Sequence, residues 1–161
     1  MKYLLLSLAL MTSPLAAFAQ GANVAFGTIR QDTGLPVEVT ADNLSVDQAT
    51  GTAIFTGNVM IGQGEMRLSA SRVLVVYRAE AEGIARLEAT GGVTLVSGAD
   101  AAESERADYN IDDGTIVMSG NVLLAQGRNA LSSDKMSVRL SDGTAQMSGR
   151  VRTVLQSGGD N

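Results

Sequence analysis

The 161-residue chain contains no cysteine, no histidine, no tryptophan and only two prolines. Without cysteine there is no disulfide, so stability must come from burial and strand pairing. There is also no thiol to carry a lipid anchor. Without histidine the chain lacks the side chain that titrates nearest neutral pH, the commonest metal ligand, and any Ser-His-Asp arrangement. Paired carboxylates remain as a route to acid–base chemistry, but the composition favours a protein that is not an enzyme. Aromatics are sparse, with three Phe and three Tyr, so a core must be assembled from Val, Leu, Ile, Met and Ala. Cations are outnumbered, 12 Lys and Arg against 17 Asp and Glu, for a net charge of −5. A chain of that sign repels phosphate backbones and makes a poor nucleic-acid binder. No Gly-x-x-x-x-Gly-Lys-Ser/Thr occurs, so no nucleotide cofactor is expected.

Residues 1–19 read as a cleavable signal peptide. Lys2 precedes an apolar run from Tyr3 to Met11, Pro14 breaks it, and Ala17-Phe18-Ala19 supplies the small-x-small pattern. Cleavage is expected between Ala19 and Gln20. The run is shorter than the ~20 residues of a spanning helix. The remaining 142 residues suit one domain. Residues 20–35 are small, polar and aperiodic and read as a flexible lead-in. Pro36 marks the start of a domain over 36–156, and the Gly- and Ser-rich 157–161 read as a disordered tail.

The most informative feature is a repeat. Gly-x-Val recurs at Gly57, Gly91, Gly120 and Gly149, at intervals of 34, 29 and 29 residues. Around each glycine every second residue is apolar: Ala53, Phe55, Val59, Ile61; Leu87, Ala89, Val93, Leu95; Ile116, Met118, Val122, Leu124; Ala145, Met147, Val151, with Thr153 the polar exception. The interleaved positions, such as Thr56, Asn58, Glu88, Thr90, Ser119, Asn121, Arg150 and Arg152, are mostly polar. Strict alternation of this kind predicts half-buried strands and is incompatible with a helix. A second strand precedes each of these: Val37–Ala41 leading into Asn43–Val46, Met66–Ala70 leading into Arg72–Tyr77, Ala107–Ile111, and Lys135–Leu140. Ala49-Thr50-Gly51, Asp112-Asp113-Gly114 and Ser141-Asp142-Gly143 separate the pairs, and Asp-Gly between alternating strands signals a hairpin with positive φ at both central residues. Residues 98–106 read as a solvated connection or short helical turn. A glycine inside a strand implies a bulge, a bend, or close approach of another group or ligand, of which a bend is the plainest.

Units of about 30 residues that cannot bury their own faces must stack. A roll or a solenoid would satisfy this, and the tight turns favour antiparallel hairpins. Asp108, Asp112 and Asp113 are the carboxylates an enzyme reading would use, but a turn explains the last two, whose side chains can bond nearby backbone. Asp108-x-Asn110-x-Asp112 begins like a calcium loop; Gly114 then comes one position late and Ser119 stands where a bidentate Glu is required. No metal site is predicted.

Pro36-Val37-Glu38-Val39-Thr40-Ala41-Asp42, then Leu44-x-Val46-Asp47, Ala53-x-Phe55-Thr56-Gly57-Asn58-Val59, Gln63-Gly64 and Leu68-x-Ala70-x-x-Val73 together resemble the LptA/OstA-like family of periplasmic lipopolysaccharide transport proteins. Met118-Ser119-Gly120-Asn121-Val122 echoes the most specific segment. The resemblance covers residues 36 to about 155. It implies an all-β fold, a twisted open-ended antiparallel β-jellyroll of repeated two-strand units, located in the periplasm. It implies an interior that carries the acyl chains of lipopolysaccharide, and copies joined end to end. The implied partners are an inner-membrane jellyroll component and the N-terminal jellyroll of the outer-membrane translocon, with transport driven by a separate ATPase.

On that basis Phe55, Val59, Ile61, Leu87, Val93, Leu95, Ile116, Met118, Val122, Leu124, Met147 and Val151 are expected to face lipid; the plainer alternative is that they form ordinary core. Val37, Val39 and Ala41 at one end, and Val151, Thr153 and Leu155 at the other, are expected to pair with partners through strand edges. The acidic chain offers few cations for phosphates, Arg150 and Arg152 being the nearest candidates, which favours grip on the acyl chains. The rival from another class is a structural β-solenoid, a periplasmic scaffold without a lipid ligand.

Overall fold

A computed structural model describes residues 21–26, 32–80 and 82–156. The expected signal peptide with its Ala19/Gln20 cleavage point and the expected tail lie outside the described residues. The chain forms eleven strands: β1 (Ala22–Ala25), β2 (Glu38–Thr40), β3 (Asn43–Asp47), β4 (Thr52–Gln63), β5 (Met66–Tyr77), β6 (Ile84–Ser97), β7 (Asp100–Asn110), β8 (Thr115–Gln126), β9 (Asn129–Arg139), β10 (Thr144–Ser148) and β11 (Arg152–Val154). They make one antiparallel sheet in the order β1-β10-β9-β8-β7-β6-β5-β4-β2, with β3 also on β4 and β11 also on β9. Among the described residues there is no helix.

The sheet folds over along a line set by the repeat. In β4, β6 and β8 the glycine and the residue after it form a bulge, seen as register shifts between Thr56 and Val59, Thr90 and Val93, and Ser119 and Val122. Gly57, Gly91, Gly120 and Gly149 have φ of 78–84°, and Asn58, Asn121 and Arg150 follow them at 47–48°. Such backbone suits glycine and, next, asparagine. At Gly57, Gly120 and Gly149 an added Cβ would stand 2.6 Å from a carboxylate oxygen of Asp42, Glu105 or Asp134 on the neighbouring strand. The residue after the glycine ties that carboxylate down: Asn58 Nδ2 donates to Asp42 at 2.9 Å, Asn121 Nδ2 to Glu105 at 2.6 Å, and the Arg150 guanidinium to Asp134 at 2.6 Å. At Gly91-Gly92 the facing residue is Ser71, whose Oγ donates to the Gly91 carbonyl. The glycines therefore serve both a bend and the close approach of a side chain.

Each bent strand contributes a first half before the bulge and a second half after it, and the inward side chains of both halves merge into one apolar cluster. The far ends of the second halves are closed by two-residue loops beginning with Gly64, Gly98 and Gly127, whose φ of 56–61° suits the first position of a type II′ turn. The first halves end differently. Ile111–Gly114 and Leu140–Gly143 are four-residue loops, and only the glycine has positive φ. The expectation of positive φ at both Asp and Gly is corrected here, because the longer loop leaves the aspartate free to bond its own backbone, as Asp142 does with the Thr144 amide at 3.0 Å.

Two further expectations are corrected. Residues 98–106 are neither connection nor helix: after the Gly98-Ala99 turn they run into β7, where Ala102 and Ser104 face inward and Glu103 and Glu105 outward. Small inward residues blurred the alternation. Within the 20–35 lead-in, Ala22–Ala25 form β1 on β10, and Phe26 is 2% exposed, its amide donating to the Gly143 carbonyl.

Candidate functional site

Register turns the inward residues into rows that cross the sheet from strand to strand. One row reads Val39, Ile61, Leu68, Leu95, Ala102, Leu124, Leu131 and Thr153. On the facing half a second row reads Leu44, Phe55, Val73, Ala89, Ala107, Met118, Met136, Met147 and Ala22. From Ile61 to Leu131 the first row spans five interstrand steps of ~4.8 Å, about 24 Å. These rows run along the axis on which strands stack, so they are apolar tracks across the sheet, the first of them ending at the polar, exposed Thr153 of β11.

Of the side chains expected on this face, Val59, Ile61, Leu87, Val93, Leu95, Ile116, Met118, Val122, Leu124 and Met147 are all at most 2% exposed and belong to the one cluster. Phe55 is half-buried at its margin. Val151 is a correction: it is 38% exposed and outside the cluster, because only the short β11 follows the Gly149-Arg150 bend. β5 adds Leu68, Val73 and Val75 to the same face and β9 adds Met136 and Val138, with Leu140 buried just past the end of β9.

A polar pair is buried in the interior. Tyr109, in register with Leu87 and Ile116 of the first halves, donates its hydroxyl to Gln63 Oε1 at the end of a second half, spanning the fold. Burial pushes that hydroxyl up to about 12, while the bond to Gln63 works the other way. Gln63 Nε2 donates in turn to the carbonyls of Thr33 and Leu35, at 3.1 and 2.9 Å. All of its side-chain polar atoms are thereby satisfied, as burial requires.

Charge lies outside. Arg106 pairs with Asp108 and Glu88, Arg86 with Glu88, and Arg78 with Asp112. The hydrogen bonds that Arg106 donates to Asp108 raise the pKa of Arg106. Asp113 bonds Asn110 at 2.8 Å. The three aspartates an enzyme would have used are thus engaged in outward-facing pairs and a turn. Arg150, a candidate for phosphate, instead serves the bend: its hydrogen bonds hold Asp134 below the usual carboxylate range and raise its own pKa.

The ends of the fold are open. Leu44 and Val46, in register with the inward Phe55 and Ala53, are 57% and 59% exposed. At the opposite end Leu155 is 70% exposed, one residue past β11, and Thr153 is exposed as well. Val37, Val39 and Ala41 are half-buried against the core, so what they leave available at the edge is backbone rather than side chain.

Residues 38–150 match the family model of the LptA/(LptD N-terminal domain) LPS transport protein. An uncharacterised protein of Rhizobium meliloti is 31% identical over 110 residues, covering 64% of this chain and 59% of its own length. The lipopolysaccharide export system protein LptA of Haemophilus influenzae is 32% identical over 69 residues, 43% of this chain and 40% of that protein. LptA of Escherichia coli is 31% identical over 61 residues, 38% and 33% respectively. The chain thus spans well under two thirds of each relative's length. In fold it is similar to LptH, the LptA-homologous periplasmic component of the lipopolysaccharide transport device of Pseudomonas aeruginosa, with a TM-score of 0.69 and 16% identity over 79% of this chain and 99% of that one. The family match takes in all four bends and every strand but β1 and β11, and the chain belongs to the LptA/LptD N-terminal-domain family of lipopolysaccharide transport proteins.

Proposed function

We propose that this protein works in the periplasm as a lipopolysaccharide carrier, shielding acyl chains between the two halves of its sheet and joining end to end into a bridge between membranes. The observation that carries the reading is the set of apolar rows that run across the sheet from strand to strand. Apolar contact has no direction, so a hydrocarbon chain can slide along such a row. Burying about ten methylenes would contribute roughly 8 kcal/mol before ordering costs. The inward side chains pack on one another, so a guest must part the halves. The adjacent Met118, Met136 and Met147 suit that task, since unbranched thioether side chains repack readily. The partners would be the inner-membrane jellyroll component, the N-terminal jellyroll of the outer-membrane translocon, and further copies of this chain.

The termini of the sheet support end-to-end joining. β2 and β3 form one bent strand of three and five residues; β11 and β10 form another of three and five. Strands alternate in direction across the sheet, so a second copy's β2–β3 would continue the ladder antiparallel to β11–β10, bend against bend. Edges with unpaired N–H and C=O groups invite this addition.

Native mass spectrometry of the mature protein after incubation with lipopolysaccharide tests the carrier reading. A lipid-bearing species is expected for the wild type, and its loss in a Val122→Glu variant that remains folded. A folded wild type that never carries lipid would point to the ligand-free scaffold. Deleting residues 149–161 should abolish concentration-dependent growth in particle size; unchanged association would contradict end-to-end joining.

A further inference from the structure

Strand β1 occupies the edge that a second copy would need. Its register on β10 is Ala22 with Met147, Asn23 with Gln146, Val24 with Ala145 and Ala25 with Thr144. Within the chain, β5 lies on the corresponding edge of β4 as Val73 with Phe55, Leu74 with Ile54, Val75 with Ala53 and Val76 with Thr52. β4 and β10 are equivalent positions of the repeat, with Gly57 and Gly149 at their bends, and β3 is equivalent to β5, since Leu44 pairs with Phe55 on β4 as Val73 pairs with Ala89 on β6. Seating a second copy's β3 on β10 as β5 sits on β4 therefore sets Leu44, Ser45, Val46 and Asp47 opposite Met147, Gln146, Ala145 and Thr144. Those are the four partners β1 already holds.

The likeness extends to direction and pattern. β1 is antiparallel to β10 as β5 is to β4. Both alternate an inward apolar residue with an outward polar one, Ala22-Asn23-Val24 against Leu44-Ser45-Val46. β1 is secured by Phe26, buried in the core, and by Gln126 Nε2 donating to the Ala25 carbonyl at 2.6 Å. β11, by contrast, is exposed along its whole length, so only half of the terminal bent strand is covered.

We propose that β1 is an intramolecular stand-in for strand β3 of the next copy, so that end-to-end joining proceeds by strand exchange and the free chain is held back from assembling. The inference rests on the end-to-end reading above. A second copy can first pair its β2 with the open β11; continuing across the bend then requires β1 to leave β10. The incoming strand offers Leu44 where β1 offers Ala22, so it brings more apolar surface to the same seat. A strand added outside a retained β1 would run parallel to it and break the antiparallel alternation.

The chain has no cysteine, which makes a disulfide lock clean to build. Asn23 and Gln146 are register partners with exposed side chains, and neighbouring strands lie within disulfide reach. The mature Asn23→Cys/Gln146→Cys protein would be followed by analytical ultracentrifugation, oxidised and reduced. The oxidised form is expected to need at least tenfold higher concentration to associate than the reduced form, with circular dichroism unchanged. In parallel, a mixture of Ser45→Cys and Gln146→Cys chains is expected to form an intermolecular disulfide, faster when residues 20–26 are deleted. Equal association of oxidised and reduced protein, with the intermolecular disulfide still forming, would overturn the stand-in and leave end-to-end joining intact. If Ser45→Cys and Gln146→Cys never crosslink with or without residues 20–26, end-to-end joining in this register falls and the stand-in falls with it.

Discussion

Gly120→Ala probes the bend on which the folded-over sheet depends. The φ of 82° at this position costs an L-residue about 1–2 kcal/mol. The new Cβ would also stand 2.6 Å from Glu105 Oε2 and 2.9 Å from Glu105 Cβ. The carboxylate can swing away, giving up its 2.6 Å bond from Asn121 Nδ2, worth about 0.5–1.5 kcal/mol. The Cβ of Glu105 cannot, so the strands must separate locally, at about 1 kcal/mol or more. The sum is roughly 2.5–4.5 kcal/mol. Gly92 provides the control, with the same φ of 82° and no atom within 4 Å of an added Cβ. Gly92→Ala should therefore cost only the backbone share, about 1–2 kcal/mol. Urea denaturation of the mature protein measures both, and a double-mutant cycle with Glu105→Gly should return a coupling of about 1.5–2.5 kcal/mol. Equal costs for Gly120→Ala and Gly92→Ala, or additivity in the cycle, would refute the idea that the neighbouring side chain makes glycine necessary.

Other consequences concern the interior. Because burial raises Tyr109 to about 12, the folded state keeps that proton longer than the unfolded chain does. Its contribution is complete below about pH 10 and lost as pH rises through 12, a change of up to roughly 2.7 kcal/mol. Tyr109→Phe should flatten the fall in urea stability between pH 9 and 11.5, and an unchanged slope would assign the alkaline loss elsewhere. On β8, Val122 is 1% exposed and its neighbour Leu123 is 43% exposed. Val122→Glu should cost about 3 kcal/mol or more by burying a charge, and Leu123→Glu less than about 1; similar thermal shifts for the two would contradict the assigned faces.

Much of this was legible in the sequence because period-two alternation converts directly into two faces of a strand. The four glycines marked the bends, and the alternation placed the apolar set from Phe55 to Met147 on the inward face. What escaped did so for physical reasons. The first half of β7 hid behind Ala102 and Ser104, inward residues too small to register as a hydrophobic stripe. β1 shows only Ala22, Val24 and Phe26 as an alternating set, too short to separate from a lead-in, and its value lies in a partner strand more than a hundred residues away. The carboxylates at Asp42, Glu105 and Asp134 carry no mark of their role in the local sequence. Their role depends on which strands become neighbours, which no local pattern encodes. Val151 obeyed the alternation yet lies exposed, since parity fixes the face a residue points to but not whether anything covers it.

The central claim is that inward-facing side chains meet hydrocarbon. A photocrosslinking scan along β8 in living cells, one position at a time from Ile116 to Leu124, addresses it directly, with adducts identified by mass. Lipopolysaccharide adducts are predicted at Ile116, Met118, Val122 and Leu124, with Val117 and Leu123 silent. Adducts that ignore this two-residue period, or that favour the outward positions, would contradict the account.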